Sequence, residues 1–298
     1  MNVKTYYSNA LRASTLPRFL FTIPFLALTC LQGNKQTDLN ESCVAAPYVS
    51  ASMPKIPVFD NSNEEFHEKI ISKFNKLAEN MPFFKLTLEA IKEKGYQFIS
   101  YDKNDKNIPQ GVYDLMEKEN CGAVTARSKK MVYINQRNPK ETFSLEGTLA
   151  NEAVHIVLDP TSEPFEEDES TRPFNEEETK EELDLIKKSN DYTESEKAFH
   201  EALNQEILSQ VIEDIVVKKL QDNEFEFHEE DLTSTPYSVK LMHMKSVFSI
   251  SVLVRIYSIE SISETDEDLI LDRTNKYLKS GKVEKYLIDK LKEFGFIK

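Results

Sequence analysis

The sequence is poor in several residue types that common functional sites require. It has no tryptophan and only 7 glycines in 298 residues, which argues against a Gly-rich nucleotide-binding loop. Of its 3 cysteines only Cys121 lies in the globular region, so a structural zinc cluster of thiolates is excluded. Basic residues are also scarce, with 37 Lys and Arg against 51 Asp and Glu, a net charge of −14. Nucleic acid and anionic membrane surfaces are therefore not expected as partners.

Residues 1–33 have the layout of an export signal. Basic residues precede an apolar run from Phe19 to Leu31, which has the length of a signal core and is short for a membrane span. Cys30 stands in a loose lipoprotein-type context, so lipidation, ordinary cleavage further on and an uncleaved anchor all stay open. Residues 34–62, with several prolines, predict a linker. We expect an exported protein, periplasmic, secreted or membrane-anchored, that meets the membrane only through this N-terminus.

The remaining sequence predicts a helix-rich α+β fold with a small antiparallel sheet. Aromatic and β-branched residues predict a strand at Tyr96–Tyr101. Residues 122–135 predict a β-hairpin that turns at Ser128-Lys129-Lys130. The apolar run Phe143–Leu158 predicts a helix, with Thr142 or Ser144 as its N-cap.

A single domain is predicted over residues 63–235. Its segment 161–197 is an acidic insertion, and such a run of glutamates is typical of a solvated, mobile segment. Residues 236–298 predict a C-terminal helical extension packed on the domain. Within it the apolar segment 237–260 is expected to be a core helix, because charged residues keep it shorter than a membrane span.

Asn151-Glu152-Ala153-Val154-His155 matches a zinc-binding helix pattern at every position except the first. Such sites use two histidines one helical turn apart, and the glutamate beside the first deprotonates the zinc-bound water. Positions 151 and 155 share a helix face, and Glu152 stands where the catalytic base belongs. Asn151 offers only an amide oxygen, a weaker zinc ligand than imidazole and better suited to a harder divalent metal.

Related patterns occur at two other places in the chain, so the five-residue motif alone does not identify a site. Asn63-Glu64-Glu65-Phe66-His67 repeats the pattern among charged residues just after the linker. His200-Glu201-Ala202-Leu203-Asn204 has histidine first and asparagine last, either by chance or as the source of a replacement ligand. The copy at 151–155 stands in an apolar helix after a predicted strand, where buried polar side chains are costly unless they find partners.

The run from Met81 to Leu158 resembles an uncharacterised family of zincin-like bacterial metallopeptidases. The resemblance rests on the order of helix, strand and hairpin, on a hairpin ending in Met131-Val132-Tyr133-Ile134-Asn135, and on the Thr148-Leu149-Ala150 entry to the motif helix. It departs at Asn151, where the family has histidine. The resemblance implies zinc or another divalent metal as cofactor, and a peptide or protein substrate bound along Met131–Asn135.

The resemblance also implies a third metal ligand from a later helix. By position Glu206 is preferred, and Glu213, seven residues further on the same face, is the alternative. Three interpretations stay open: Asn151 is a hydrogen-bonding relic, the site still binds a metal, or the similarity is accidental and His155 is an ordinary core histidine.

The sequence thus predicts an exported metallopeptidase-like protein with a degraded site, in which Glu152 is the catalytic residue and Asn151, His155 and Glu206 are the metal positions. The alternative is a non-enzymatic secreted or surface-anchored interaction protein, with segments 161–197 and 237–260 as its contact surfaces. No Gly-rich phosphate loop or G-x-S-x-G elbow supports another class of hydrolase.

Overall fold

The structure is a computed structural model that describes residues 61–106, 108, 110–117, 121–136, 144–160, 176–257, 259 and 262–298. The predicted export signal, most of the predicted linker and the first part of the acidic insertion lie outside these ranges. No helix within them is long and apolar enough to cross a bilayer.

The described chain is helix-rich with a small sheet, so the predicted α+β class is confirmed. The helices are α1 (Asn61–Ala78), α2 (Pro82–Lys94), α3 (Gln110–Glu117), α4 (Leu145–Leu158), α5 (Glu176–Lys188), α6 (Glu194–Gln221), α7 (Glu229–Thr233), α8 (Thr235–Tyr257), α9 (Glu264–Lys279) and α10 (Lys282–Glu293). The strands are β1 (Gln97–Ser100), β2 (Ala123–Ala126) and β3 (Met131–Ile134).

The sheet is mixed, so the predicted antiparallel sheet is wrong in one pairing. β2 and β3 form the predicted hairpin, and a 3₁₀ turn at Arg127–Lys129 connects them. β1 lies on the other side of β3 and runs parallel to it. The parallel pairing follows from the long connection through α3 and β2, which returns the chain to the starting end of β1.

Because β3 is the central strand of the sheet, the prediction that a peptide binds along it is wrong. Both sides of β3 are already paired, by β1 and by β2. On β1 the backbone N–H of Phe98 donates to Nδ1 of His67 on α1 at 3.2 Å. All four residues of β2 are buried. A peptide therefore cannot extend the sheet along Met131–Asn135.

Helix α4 begins and ends as its sequence indicates. Ser144 is the N-cap, and its Oγ accepts from the N–H of Gly147 at 2.9 Å. At the other end Lys94 Nζ donates to the carbonyls of Ile156 and Asp159, at 2.8 and 2.6 Å. Such a cation stabilises the exposed carbonyl end of a helix. The helix is buried along most of its length and packs most extensively on α6.

A buried ion pair fixes the hairpin turn to the end of α4. Lys130 pairs with Asp159, and the hydroxyl of Tyr96 also donates to that carboxylate, at 2.7 Å. Lys130 has a φ of 52°, in the left-handed region, and its N–H donates to the carbonyl of Arg127. The turn that carries Arg127 is thereby held against the motif helix.

Part of the predicted acidic insertion is folded into helices, so the expectation of an unstructured segment is wrong for residues 176–197, although many of their side chains are exposed as predicted. Helix α5 buries one stripe at i, i+3, i+4 and i+7, formed by Thr179, Glu182, Leu183 and Ile186. Because the segment is rich in glutamate, its composition alone did not reveal this buried stripe. The next helix, α6, begins at Glu194 behind a capping box formed by Thr193 and Glu196.

The C-terminal helices share the core of the domain. One hydrophobic cluster joins residues of α1, α2 and α4 to residues of α5, α6, α8, α9 and α10. The predicted core helix in segment 237–260 is found as α8, which ends at Tyr257 and whose buried residues include Phe248, Val252 and Leu253. The buried residues of α8 are therefore unavailable as a contact surface, whereas Val239 and Met242 near its start are exposed.

Candidate functional site

Helix α4 carries three polar side chains into the interior at the motif positions. Asn151 and Glu152 are 0% exposed, and His155 is 1% exposed. The apolar residues around them, such as Leu149 and Val154, are equally buried. Because α4 is covered by α2, by β2 and by α6, its polar residues must find partners inside the protein.

The partners come mainly from α6, which runs antiparallel to α4. Its facing residues are buried and polar, and they are Gln205, Glu206, Ser209 and Glu213. A Cβ built on Gly147 would lie 2.9 Å from Val217, so the two helices approach closely where α4 begins. Asn151 contacts Ser209 and Glu213 of α6, whereas His155 is linked through Arg127 to Gln205, which lies earlier in α6.

Asn151 is bonded to two residues of α6. Its Nδ2 donates to Oγ of Ser209 at 3.2 Å and to Oε2 of Glu213 at 3.3 Å. Its Oδ1 is buried and accepts no hydrogen bond from the described residues. The amide therefore serves as a donor, and the oxygen that could have bound a metal faces no polar partner.

Glu152 points to the hairpin instead of to α6. Thr125 of β2 donates to its Oε2 at 2.5 Å, while Oε1 is buried with no partner among the described residues. Burial raises the pKa of Glu152 to about 8, and the nearby charge of Glu213 adds to the rise. At neutral pH the carboxyl is largely protonated, which is not the state of a general base.

His155 is in contact with the guanidinium of Arg127. Arg127 Nη2 lies 3.3 Å from Nδ1 of His155 and donates to Oε1 of Gln205 at 2.6 Å. Burial, with the Arg127 charge as second cause, holds the pKa of His155 well below its ordinary value. The ring is therefore neutral. A guanidinium only donates, so Nδ1 accepts and the ring proton lies on Nε2.

The two predicted third ligands differ in what they contact. Oε2 of Glu213 accepts from Nδ2 of Asn151 at 3.3 Å and from Nε2 of Gln210 at 3.2 Å. Burial raises the pKa of Glu213 to about 7. Glu206 is buried on the same face of α6, and its backbone carbonyl accepts from Oγ of Ser209 at 2.9 Å.

The donor set does not fit a zinc centre. Within the described ranges no group of three or more His, Cys, Asp or Glu side chains is arranged to hold a metal ion. Nε2 of His155 carries a proton and is buried without a partner in the described residues, and position 151 presents an amide nitrogen to α6. A zinc-bound histidine needs an unprotonated nitrogen facing the metal and a hydrogen-bond acceptor at the other nitrogen.

The two other copies of the pattern lie in different surroundings. His67 accepts from the backbone of β1 and stacks on Phe98, with ring centroids 5.8 Å apart. His200 stacks flat on Tyr277, with centroids 3.5 Å apart and an interplanar angle of 8°. Burial lowers the pKa of His200 to about 3, so this ring is a neutral packing residue.

Sequence reasoning missed Thr125, Arg127, Gln205 and Ser209 as members of the cluster. Thr125 alternates along β2 with residues that face the other way, so period-two patterning was the available signal. Nothing in the sequence indicated Arg127, because polar residues in a predicted turn are expected to face solvent. Gln205 and Ser209 lie four residues apart, on the helix face that carries Glu213.

Comparison of the chain with protein families, curated proteins and solved structures finds no match to any of them.

Proposed function

We propose that this chain is an exported, zincin-like protein that has lost peptidase activity and keeps the former metal site as a buried polar cluster. The observation that carries the proposal is that Asn151 of α4 is bonded to Glu213 of a later helix, on the helix that also buries Glu152 and His155. A zincin uses those positions for its two histidines, its general base and its third ligand. Here their side chains are bonded to protein groups.

The chemistry of the cluster supports the loss of activity. Hydrolysis would need Glu152 as an ionised base, but burial keeps its carboxyl protonated near neutral pH. It would also need a metal ion facing an unprotonated nitrogen of His155, but Nδ1 accepts from Arg127 and Nε2 carries the ring proton. The side-chain amide of Asn151 donates hydrogen bonds to Ser209 and Glu213 and so presents no free oxygen ligand on that side.

The burial of the cluster also supports the loss of peptidase activity. Asn151, Glu152 and His155 are each at most 1% exposed, so a peptide bond cannot reach them in this conformation. None of the strands that the structure describes offers a free edge beside α4 for an extended substrate. A protein with this arrangement serves by binding or structure, and export through residues 1–33 stays part of the proposal.

Metal analysis of purified protein tests the proposal. Wild-type protein is dialysed against Zn²⁺ and assayed on a mixture of fluorogenic peptides, and we expect no stoichiometric zinc and no cleavage. The double variant Asn151→His, Arg127→Met is expected to bind zinc, and a further His155→Ala change is expected to abolish that binding. Zinc-dependent cleavage by wild type would contradict the loss of activity. A double variant that binds no zinc would contradict the zincin ancestry.

A further inference from the structure

We propose that the cavity between the ends of α1 and α6 and the start of α4 binds a small aliphatic carboxylate. The cavity has a volume of about 280 Å³ and is lined by the last turns of α1 and α6, by Glu146 of α4, and by residues that follow α1 and α6. The polar cluster of Asn151, Glu152 and His155 does not line it. The inference therefore goes beyond the proposed function and does not depend on it.

Part of the lining is apolar. Leu77 and Met81 are 5% and 4% exposed and belong to the main hydrophobic cluster. Leu220, at the end of α6, lines the same cavity and is 49% exposed. An aliphatic chain in the cavity would cover these side chains and remove their remaining apolar surface from water.

The charged part of the lining is mainly basic. Lys73, Lys76 and Lys219 supply three ammonium groups, and Glu146 is the one acidic residue among the described residues that line the cavity. The chain as a whole has a net charge of −14. A local excess of positive charge in so acidic a protein favours an anionic ligand at this place.

Two of the ammonium groups are positioned by contacts that leave them able to bind a ligand. Lys73 Nζ donates to Glu146 at 2.8 Å, and Lys219 Nζ donates to the carbonyl of Phe225 at 3.3 Å. An ammonium has three donors, so each of these contacts leaves donors for a carboxylate. The third, Lys76, is exposed.

The backbone and an ion pair shape the cavity in advance of any ligand. The N–H of Met81 donates to the carbonyl of Leu77 at 3.0 Å, which fixes the chain after α1. The pair between Lys73 and Glu146 joins α1 to the first turn of α4. A pocket that is already formed binds its ligand without the entropic cost of ordering its walls.

The two kinds of lining together select the ligand class. An inorganic anion would contact the lysines and leave the apolar surface in water, and a neutral alcohol would do the reverse. The volume lies at the lower end of small-molecule pockets, which hold about 300–1,000 Å³. A carboxylate with a short aliphatic chain uses both the ammonium groups and the apolar residues.

Calorimetric titration of the purified protein with three probes tests the proposal. These are octanoate, octanol, which has the chain without the charge, and acetate, which has the charge without the chain. We expect octanoate to bind at one site, and octanol and acetate to bind at least about tenfold more weakly. No binding of octanoate, or equal binding of octanoate and either other probe, would overturn the proposal. This comparison uses wild-type protein alone.

Lysine variants locate the site of octanoate binding. Lys76→Met and Lys219→Met are each expected to weaken it by about twofold to fivefold, the value of a partly exposed ion pair. Lys92→Met, which removes an exposed cation of α2 that does not line the cavity, should leave it unchanged. Equal effects of all three would show that overall charge holds the ligand, and would overturn the proposal.

A matched pair of leucine variants tests the apolar contact. Leu220→Ala is expected to weaken octanoate binding by about threefold, because the chain loses part of its covering surface. Leu185→Ala truncates a leucine of α5 that is similarly exposed, at 54%, and does not line the cavity. Octanoate binding that is unchanged in Leu220→Ala, or weakened equally in both variants, would contradict a ligand chain in this cavity.

Discussion

Asn151 on α4 and Glu213 on α6 are joined directly, with Nδ2 donating to Oε2 at 3.3 Å. The pair connects the first position of the motif to the predicted alternative third ligand, 62 residues later in the chain. Asn151 therefore has a structural role, because its amide donates to a buried carboxyl whose other side-chain donor among the described residues is Gln210.

Replacing Asn151 with leucine, which has a similar volume and no polar atoms, tests the value of that donor. The change leaves Glu213 and Ser209 without the amide, and an unsatisfied buried polar group costs about 1–3 kcal/mol. We expect urea unfolding to show a loss of that size. Asn223→Leu, at an exposed position, is the control and should change stability little. Equal effects of the two changes would contradict the structural role of Asn151.

The raised pKa values of Glu152 and Glu213 predict that stability falls as the pH rises. Each carboxyl has an ordinary pKa of 4.5, and burial raises the two values to about 8 and about 7 in the folded state. Above pH 4.5 the unfolded chain loses these protons while the folded protein keeps them, so the contribution is complete below that pH and is lost towards the folded values. The slope is at most about 1.4 kcal/mol per pH unit for each group.

Urea unfolding between about pH 5 and about pH 8 measures this slope. Glu152→Gln keeps a hydrogen-bonding group of the same size without the titration, so it should remove about half of the fall. Glu79→Gln changes an exposed carboxylate and serves as the control. A wild-type stability that rises over this range, with no response to Glu152→Gln, would contradict the protonated state of the cluster.

Gly147 is predicted to be required by the close approach of α4 and α6. A Cβ at this position would lie 2.9 Å from Cγ2 of Val217 and 3.1 Å from Oγ of the cap Ser144. Alanine is the better helix former by about 1 kcal/mol, but the overlap should outweigh that gain and destabilise the protein by about 1–2 kcal/mol net. Thermal unfolding of Gly147→Ala, Val217→Ala and the double variant measures the coupling. Additive losses would contradict the contact.

The ion pair between Arg273 of α9 and Glu196 of α6 should be a major support of the C-terminal half. Arg273 donates to both oxygens of Glu196, each at 2.7 Å, and also to the carbonyls of Ser189 and Asp191. Arg273→Met leaves a buried carboxylate without its partner, at a cost of about 3–5 kcal/mol.

The matched control is Lys276→Met, which removes a pair with Asp272 on the surface of the same helix. Exposed pairs contribute about 0–1 kcal/mol, so denaturant unfolding should separate the two variants clearly. Similar midpoints for both variants would show that the buried pair adds little.

Local features of the fold could be read from the sequence because they depend on neighbouring residues. The hairpin was predictable from two short apolar runs around Ser128-Lys129-Lys130, and the start of α4 from the capping preference of Ser144. The sheet order was not, because the parallel pairing of β1 with β3 depends on how the connection crosses the domain. Helix α5 was missed because its apolar stripe lies within a glutamate-rich segment.

The sequence by itself determined the helix-rich α+β class, the hairpin, and the placement of Asn151, Glu152 and His155 on one apolar helix. These follow from periodicity and capping, which act over a few residues. Only the tertiary structure decided what those three side chains meet: Thr125 for Glu152, Arg127 for His155, and Ser209 with Glu213 for Asn151. The partners are 27 to 62 residues away in the chain, and folding brings them together because buried polar groups are stable only when bonded.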